Sequence, residues 1–449
     1  MMSNIPRKAS SSASEKAVSL INTSEEPEQT PSKGHFATEK HQNANGEHLE
    51  SIELTRKNGT YVPVLRTRLH NDLLLIVGYL EFFNALDFPA NIWQETPVPS
   101  FAIGLMATGG SVALLASSFA FLDFRRSWTN VVLLQKERTF LQGKAQRSGR
   151  VSSEGQHIQA WLSLNFRELG WELIDRALMD VLVGFAAILV GVGTLMAIGG
   201  ADHTVFVASN LLSGYIGNGF VALYGLVNAA WSTYLYIRAR RHKLFARNCL
   251  SDKQIQTRAV RTFRNHQVYA VVNAVTLLVS SAGSLISSTM WWGYVILIPC
   301  IASSIFCNIF WRRYVGYDRR MVQYRKASLM EIDVYTNIYD AVNMQQWFQK
   351  DVLQSRFASS SDSQLLKVAK DNDCFDSLCM KIANRACSAS TKSSEYTSTT
   401  VTSDDLAHMN ADVLRVAMEQ TLTEEGRQNA VDRERVLYEL LGALMTADS

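Results

Sequence analysis

The sequence predicts an all-α fold: a polytopic transmembrane helical bundle of about six spans, paired as three short-turn hairpins, with cytosolic amphipathic helices. Two observations predict it. The chain contains long apolar runs without charge, such as Phe101–Leu122, and roughly 20 apolar residues are enough to cross the hydrocarbon core of a bilayer. Arginines and lysines cluster at one end of each run only, as Arg125 and Arg126 do here, and this asymmetry orients membrane helices.

The first predicted span, Leu73–Phe88, is short and carries acidic and amide side chains, so its hydropathy alone would also fit an interfacial or re-entrant segment. The distribution of charge indicates that this segment does cross the membrane. With this crossing included, every basic connection and both chain termini lie on the cytosolic side of a plasma membrane or endomembrane. The predicted outer connections, which contain no Lys or Arg, are Pro89–Ser100, Ala201–Thr204 and Thr289–Trp292. The later spans are predicted at Phe101–Leu122, Val181–Gly200, Ser213–Ile237, Val268–Ser288 and Gly293–Trp311.

Outside the spans, the chain alternates between polar segments and segments with helical periodicity. We expect that the possible partners are the lipid bilayer, anionic lipid head groups at the cytosolic basic clusters, and either a cytosolic protein or the membrane domain at the C-terminal helices. The predicted organisation is a disordered cytosolic tail over 1–60, a membrane domain over 61–327 with amphipathic helices at 128–178, a cytosolic helix over 328–356, a Ser/Thr-rich linker over 357–403, and a C-terminal helical pair over 404–449.

Composition argues against several classes of function. A net charge of +3, with the basic residues grouped beside apolar runs, does not favour nucleic-acid binding. Hydrolase motifs such as HExxH and GxSxG are absent. The spacing of Cys374, Cys379 and Cys387 lacks a CxxC pair, and no histidine joins them, so a metal site is disfavoured. The sequence therefore predicts a protein that is not an enzyme and has no cofactor.

Polar residues inside the spans are the candidate site. An ionisable side chain in a bilayer is costly, so its presence suggests function. The alternative is that these groups only hold helices together through interhelical hydrogen bonds, worth about 0.6–2 kcal/mol each. A glycine-rich run in the fourth span, Gly214–Gly219, predicts a kink or an unwound turn. The candidate residues are Glu81, Asn84, Asp87, Asn218 and Asn273.

Two stretches carry a family resemblance: Leu73–Asp87, continued by Pro89–Gln94, and the boundary run Trp311–Tyr314. Together they resemble a group of uncharacterised multi-pass integral membrane proteins of filamentous fungi, over roughly Val62–Lys326. The resemblance implies a membrane protein of fungal source and no activity, ligand or site residue.

Two functions remain open from the sequence. The first is a non-enzymatic membrane protein that moves or senses a small solute or ion, which predicts a polar cavity near Glu81, Asn218 and Asn273. The second is a membrane-anchored scaffold that recruits partners through its cytosolic helices and tails. A scaffold predicts a bundle packed solid by small residues, with apolar cytosolic stripes exposed.

Overall fold

The computed structural model describes residues 51–57, 59–93, 98–148, 152–324, 333–389, 398–402, 405–406 and 408–447. The chain divides into two compact units. Unit 1 combines residues up to Thr67 with Asp340–Arg433, and unit 2 combines Arg68–Tyr339 with Glu434–Ser449. Most described residues are helical. The part of the predicted disordered tail that precedes residue 51 lies outside the described residues.

Unit 2 holds the apolar runs of the sequence. Within the described chain, 5 helices are long and apolar enough to cross a membrane, by length and composition. This is compatible with an integral membrane protein in contact with a lipid bilayer, and many of the apolar side chains on these helices are exposed, as lipid contact requires. The helices are α1 (Ser100–Ser148), α2 (Ser153–Gly199), α3 (His203–Cys249), α4 (Lys253–Ser287) and α5 (Gly293–Val315).

The predicted first span is not one of these helices, and the six-span count is not confirmed. Residues 75–92 form a succession of short helical segments: Leu75–Tyr79, Leu80–Asn84, Ala85–Asp87 and Phe88–Ile92. Two features of residues 75–92 oppose one continuous helix. The segment carries polar side chains, and Pro89 cannot donate a backbone hydrogen bond within a helix. The buried carboxylate of Asp87 instead accepts hydrogen bonds from the Tyr294 hydroxyl at 2.8 Å and the Asn91 amide at 3.1 Å.

Several helices run well beyond the predicted spans. The amphipathic stretch predicted at residues 128–178 is not separate: its first part continues α1 and its second part opens α2. Between Leu122 and Ser148 the chain has no proline and only Gly143 as a glycine, so nothing ends the helix at the membrane boundary. The predicted basic connection between the fourth and fifth spans is likewise helical, apart from a short turn between Cys249 and Lys253.

The predicted break in the fourth span takes a milder form. Helix α3 is continuous, and Leu211–Gly217 forms a π-helical stretch within it. Glycines make this possible because they allow close approach: a Cβ on Gly217 would lie 3.0 Å from the side chain of Val190 on α2. The wider turn adjusts the helix without unwinding it.

Unit 1 contains a small antiparallel sheet in the order β2-β1-β5, from β1 (Ser51–Lys57), β2 (Thr60–Pro63) and β5 (Ser398–Thr402). Residues predicted as a tail up to 60 and as a linker over 357–403 therefore include strands and helices. The helices form within the predicted linker because the buried side chains of Leu365, Phe375 and Leu378 recur at helical spacing and supply an apolar core. The helices that lie wholly or partly in unit 1 are α6 (Val334–Trp347), α7 (Lys350–Ser359), α8 (Asp362–Asp371), α9 (Phe375–Ala389), α10 (Ala411–Thr421) and α11 (Arg427–Ala447). A two-residue pair, β3 (Arg68–Leu69) with β4 (Arg319–Arg320), belongs to unit 2.

The last part of α11 belongs to unit 2 and packs there. Val436, Leu440 and Ala443 share a core with Leu141 of α1 and Ile158 of α2. The last helix carries an apolar stripe of leucines, which the sequence predicts to dock on the membrane domain or on a partner: Leu437, Leu440, Leu441 and Leu444. Leu440 and Leu441 are buried within unit 2, and Leu437 and Leu444 are partly buried.

Close packing between α3 and α4 depends on Gly225. A Cβ at this position would lie 1.9 Å from Ser281 Oγ and 2.8 Å from the Leu277 carbonyl oxygen. Gly225→Ala is expected to lower the free energy of unfolding by about 1–3 kcal/mol through overpacking. Gly219→Ala is the matched control on the same helix, because nothing lies within 4 Å of its added methyl group. Denaturant titration of both purified proteins checks this; equal stability would show that the two helices can separate freely.

Candidate functional site

A cavity of about 80 Å³ lies inside unit 2. The segment over residues 73–81 forms one wall, and α2, α3, α4 and α5 form the others. The residues with polar or aromatic side chains in its lining are Glu81, Trp171, Asp175, Arg176, Tyr224, Tyr269, Asn273, Ser304, Cys307, Asn308 and Trp311.

Helix α2 presents a group of lining residues because of its π-helical stretch, Trp171–Leu178. Wider turns place residues four and five apart on one face, so Trp171, Asp175 and Arg176 all reach the cavity. Trp311 lies in a second π-helical stretch, Trp311–Val315. Such irregular turns inside helices occur often at functional sites.

Two of the five predicted site residues, Glu81 and Asn273, line the cavity. The other three lie elsewhere. Asp87 is engaged by Tyr294 and Asn91, as described above. Asn84 and Asn218 are buried, and neither is part of the cavity lining. The structure therefore brings together a subset of the candidates, joined by residues from helices that the sequence did not connect with them.

Asp175 and Arg176 were missed because the sequence places them on the polar face of an amphipathic helix, where charges normally meet water. The structure reverses this orientation: both side chains are buried, as is Glu172. A signal was present. Charged residues recur at spacings of three and four up to Asp180, which directly precedes an apolar run. Charged side chains that close to a membrane-spanning segment are costly to expose, so they tend to face other helices.

Arg176 is surrounded by acidic side chains. Its guanidinium lies 3.0 Å from Asp72, 3.1 Å from Asp123 and 3.0 Å from Glu172. Asp123 and Arg176 are 0% and 1% exposed, whereas Asp72 is 23% exposed, so the cluster is shielded from water except on the side of Asp72. Asp180 is also buried nearby, and its carboxylate forms no hydrogen bond with any residue that the structure describes. One cation thus faces several carboxyl groups.

A hydrogen-bond network connects Asp175 to the opposite wall of the cavity. Asp175 accepts from the Asn228 amide and, at 3.0 Å, from the indole N–H of Trp231. The same Asn228 amide also donates to the Tyr224 hydroxyl at 3.0 Å. Its carbonyl oxygen accepts from the Asn273 amide at 2.8 Å. Asn228 therefore holds groups from α2, α3 and α4 in fixed positions.

Other polar atoms of the lining lack partners. The hydroxyls of Ser280 and Ser304 face the Glu81 carboxyl group, yet no described group completes a hydrogen bond to the buried Glu81 Oε2. Oδ1 of Asn308 and Nε1 of Trp311 are also buried and unpaired within the described part of the chain. Buried polar atoms normally have a partner in the protein or in ordered water, so these three atoms are available to a water molecule or to a ligand.

A second polar cluster lies within unit 2, where the last part of α11 packs. Glu439 accepts a hydrogen bond from His266 Nδ1 at 2.9 Å, and it lies 3.6 Å from Arg238, 3.8 Å from Arg167 and 3.9 Å from His242. Burial alone raises the pKa of Glu439. The charge of Arg167 and the hydrogen bond from His266 outweigh burial and hold this pKa well below its ordinary value of 4.5. Glu439 is therefore ionised and fixes the C-terminal helix.

A third cluster joins α1, α2 and β4. Arg319 donates to Glu137 at 2.8 and 2.6 Å and to Glu168 at 2.8 Å. All three side chains are buried. The carboxylate of Glu137 also accepts from the Val322 backbone N–H at 2.8 Å and the Asn165 amide at 2.9 Å. Because the guanidinium nitrogens of Arg319 and the carboxylate oxygens of Glu137 and Glu168 are all engaged with one another, this cluster holds α1, α2 and β4 together.

Comparisons with protein-family models, with curated proteins and with solved structures gave no match. The resemblance to fungal membrane proteins stays a prediction. Within the described residues, no group of three or more His, Cys, Asp or Glu side chains is placed to hold a metal ion. The structure is that of a helical protein with helices able to cross a membrane and with a cavity lined by polar and aromatic side chains.

Proposed function

We propose that this chain is a multi-pass membrane protein whose bundle binds a small solute or ion in the internal cavity, as part of moving or sensing it without chemical conversion. The observation that supports the proposal is the cavity itself, which the carboxyl group of Glu81 and the amide of Asn273 both line among apolar helices. Polar groups at such a depth are costly, and a ligand that pairs with them offsets that cost.

The scaffold alternative has less support. It requires exposed apolar stripes to recruit partners, but the stripe on α11 is buried, including Leu440 and Leu441. It also requires a bundle packed solid, whereas a cavity lies between the described helices.

Solute binding requires that water-soluble molecules reach the cavity, and Cys307 provides a native reporter because it lines the wall. Cys300 is the matched control: it lies two turns away on the same helix, is comparably buried, and is not part of the lining. In purified full-length protein, the small neutral reagent methyl methanethiosulfonate is expected to modify Cys307 faster than Cys300, because only Cys307 lies on the wall that a solute in the cavity can reach.

The measurement is site-resolved mass spectrometry over a time course. Exposed Cys249 gives the rate for a fully accessible thiol in the same sample, and Cys307→Ala gives the background. Modification of Cys307 and Cys300 at one equally slow rate would contradict the proposal, because the cavity would then be closed to solutes.

A further inference from the structure

We infer that the solute of this cavity is a small organic cation of the ammonium type; the inference rests on the proposed function and names its ligand class. Three independent properties of the lining lead to it: its excess of acidic groups, its aromatic wall, and the hydrogen-bonding character of its unpaired atoms.

The acidic groups outnumber the basic ones. Glu81, Asp175 and Arg176 are the ionisable acids and base among the lining side chains. The one cation, Arg176, is already paired with Asp72, Asp123 and Glu172, as given above, so its positive charge is more than balanced before the cavity is counted. The charged groups that face the Tyr224 hydroxyl at the wall are Asp175, Glu81 and Asp180, all of them acidic. A positively charged ligand balances these carboxyl groups and favours their ionised form, which burial alone disfavours.

The aromatic wall indicates which kind of cation. Trp171 and Trp311 stack with ring centroids 4.8 Å apart, and Tyr269 packs on Trp171 at 5.3 Å. Aromatic faces attract ammonium groups through their quadrupoles. Magnesium and calcium ions instead require six or more oxygen ligands, or a retained hydration shell, and the lining offers few oxygens that are not already engaged. An organic cation fits both the carboxyl groups and the rings.

The unpaired atoms match the same ligand. Glu81 Oε2 and Asn308 Oδ1 are acceptors, and an ammonium group supplies two or three N–H donors. The unpaired indole N–H of Trp311 suits an oxygen atom elsewhere on the solute. The volume sets an upper size, because about 80 Å³ holds roughly five water molecules or an amine of similar bulk.

Cys307 also tests the charge of the ligand, because methanethiosulfonates of similar size exist with opposite charges. Full-length protein is treated in separate samples with the 2-aminoethyl cation, the 2-sulfonatoethyl anion and the neutral methyl reagent. Each rate at Cys307 is divided by the rate of the same reagent at exposed Cys249, which removes differences in intrinsic reactivity. We expect the normalised rate of the cation to exceed that of the anion by about tenfold or more, since one nearby carboxylate at an effective dielectric constant of 20 contributes this much.

Glu81→Gln supplies the second measurement. It removes the charge and keeps the shape, so the ratio of cation rate to anion rate is expected to fall several-fold while the neutral rate changes little. A wild-type ratio near one, or one that favours the anion, overturns the inference and leaves the accessible cavity standing. A neutral reagent that fails to reach Cys307 overturns the proposed function, and the inference with it. The ratio of cation rate to anion rate at Cys307 is measured in the wild-type protein. It therefore tests the inference even if the Glu81→Gln protein folds poorly.

Discussion

Replacing Arg319 with methionine is expected to lower the free energy of unfolding of unit 2 by about 3–5 kcal/mol, because it leaves two buried carboxylates without their shared cation. Glu137 and Arg319 have side chains that are 0% and 1% exposed, and Glu168 is 5% exposed. Each carboxylate now receives hydrogen bonds from the guanidinium. Without it, both must be protonated or hydrated inside the protein, and either change favours unfolding.

A triple variant separates the loss of charge balance from the loss of packing. Adding Glu137→Gln and Glu168→Gln to Arg319→Met removes all three charges, and it is expected to recover a large part of the lost stability, because desolvated charge is then no longer unpaired. Titration of purified full-length protein with a denaturing detergent, followed by tryptophan fluorescence, measures both variants. A single variant as stable as the wild type would mean that Arg319 does not hold α1 and α2 together.

Neutralising Glu439 is the second change with a large expected effect. Glu439→Gln keeps the size of the side chain but leaves Arg167, Arg238 and the two histidines without their common anion. The cost is expected to be about 3–5 kcal/mol, as for other buried charges that lose a partner. Because Glu439 is fully ionised at neutral pH, its pKa being held below 4.5, the effect is expected to be complete at pH 7.

Glu434→Gln is the control on the same helix. Glu434 pairs with Arg258 at 3.3 Å, but the side chain of Arg258 is 37% exposed, so the loss is expected to stay below about 1 kcal/mol. Beyond stability, Glu439→Gln is expected to release the end of α11, which limited proteolysis detects as earlier cleavage after Arg433 or Arg435. If cleavage and unfolding match those of the control, the C-terminal helix is held by its apolar contacts alone.

Several properties of this protein could be predicted from its sequence. Apolar length and the one-sided arginines predicted helices able to cross a membrane, and helices α1 to α5 cover the predicted second to sixth spans. The rarity and cost of polar groups in apolar runs selected Glu81 and Asn273, which line the cavity, but it selected Asn84, Asp87 and Asn218 equally, and these do not line it. These predictions depend on local composition, which the sequence carries in full.

Only the tertiary structure decided which way the charged faces turn. Helical spacing indicates that Glu168, Glu172 and Asp175 lie near one face of α2, but it does not indicate whether that face meets water or other helices. The answer depends on partners remote in sequence, such as Arg319, which lies 151 residues from Glu168. A buried charge is tolerated only when a partner of opposite charge or hydrogen-bonding capacity is brought to it, and that partner is selected by the packing of the whole chain.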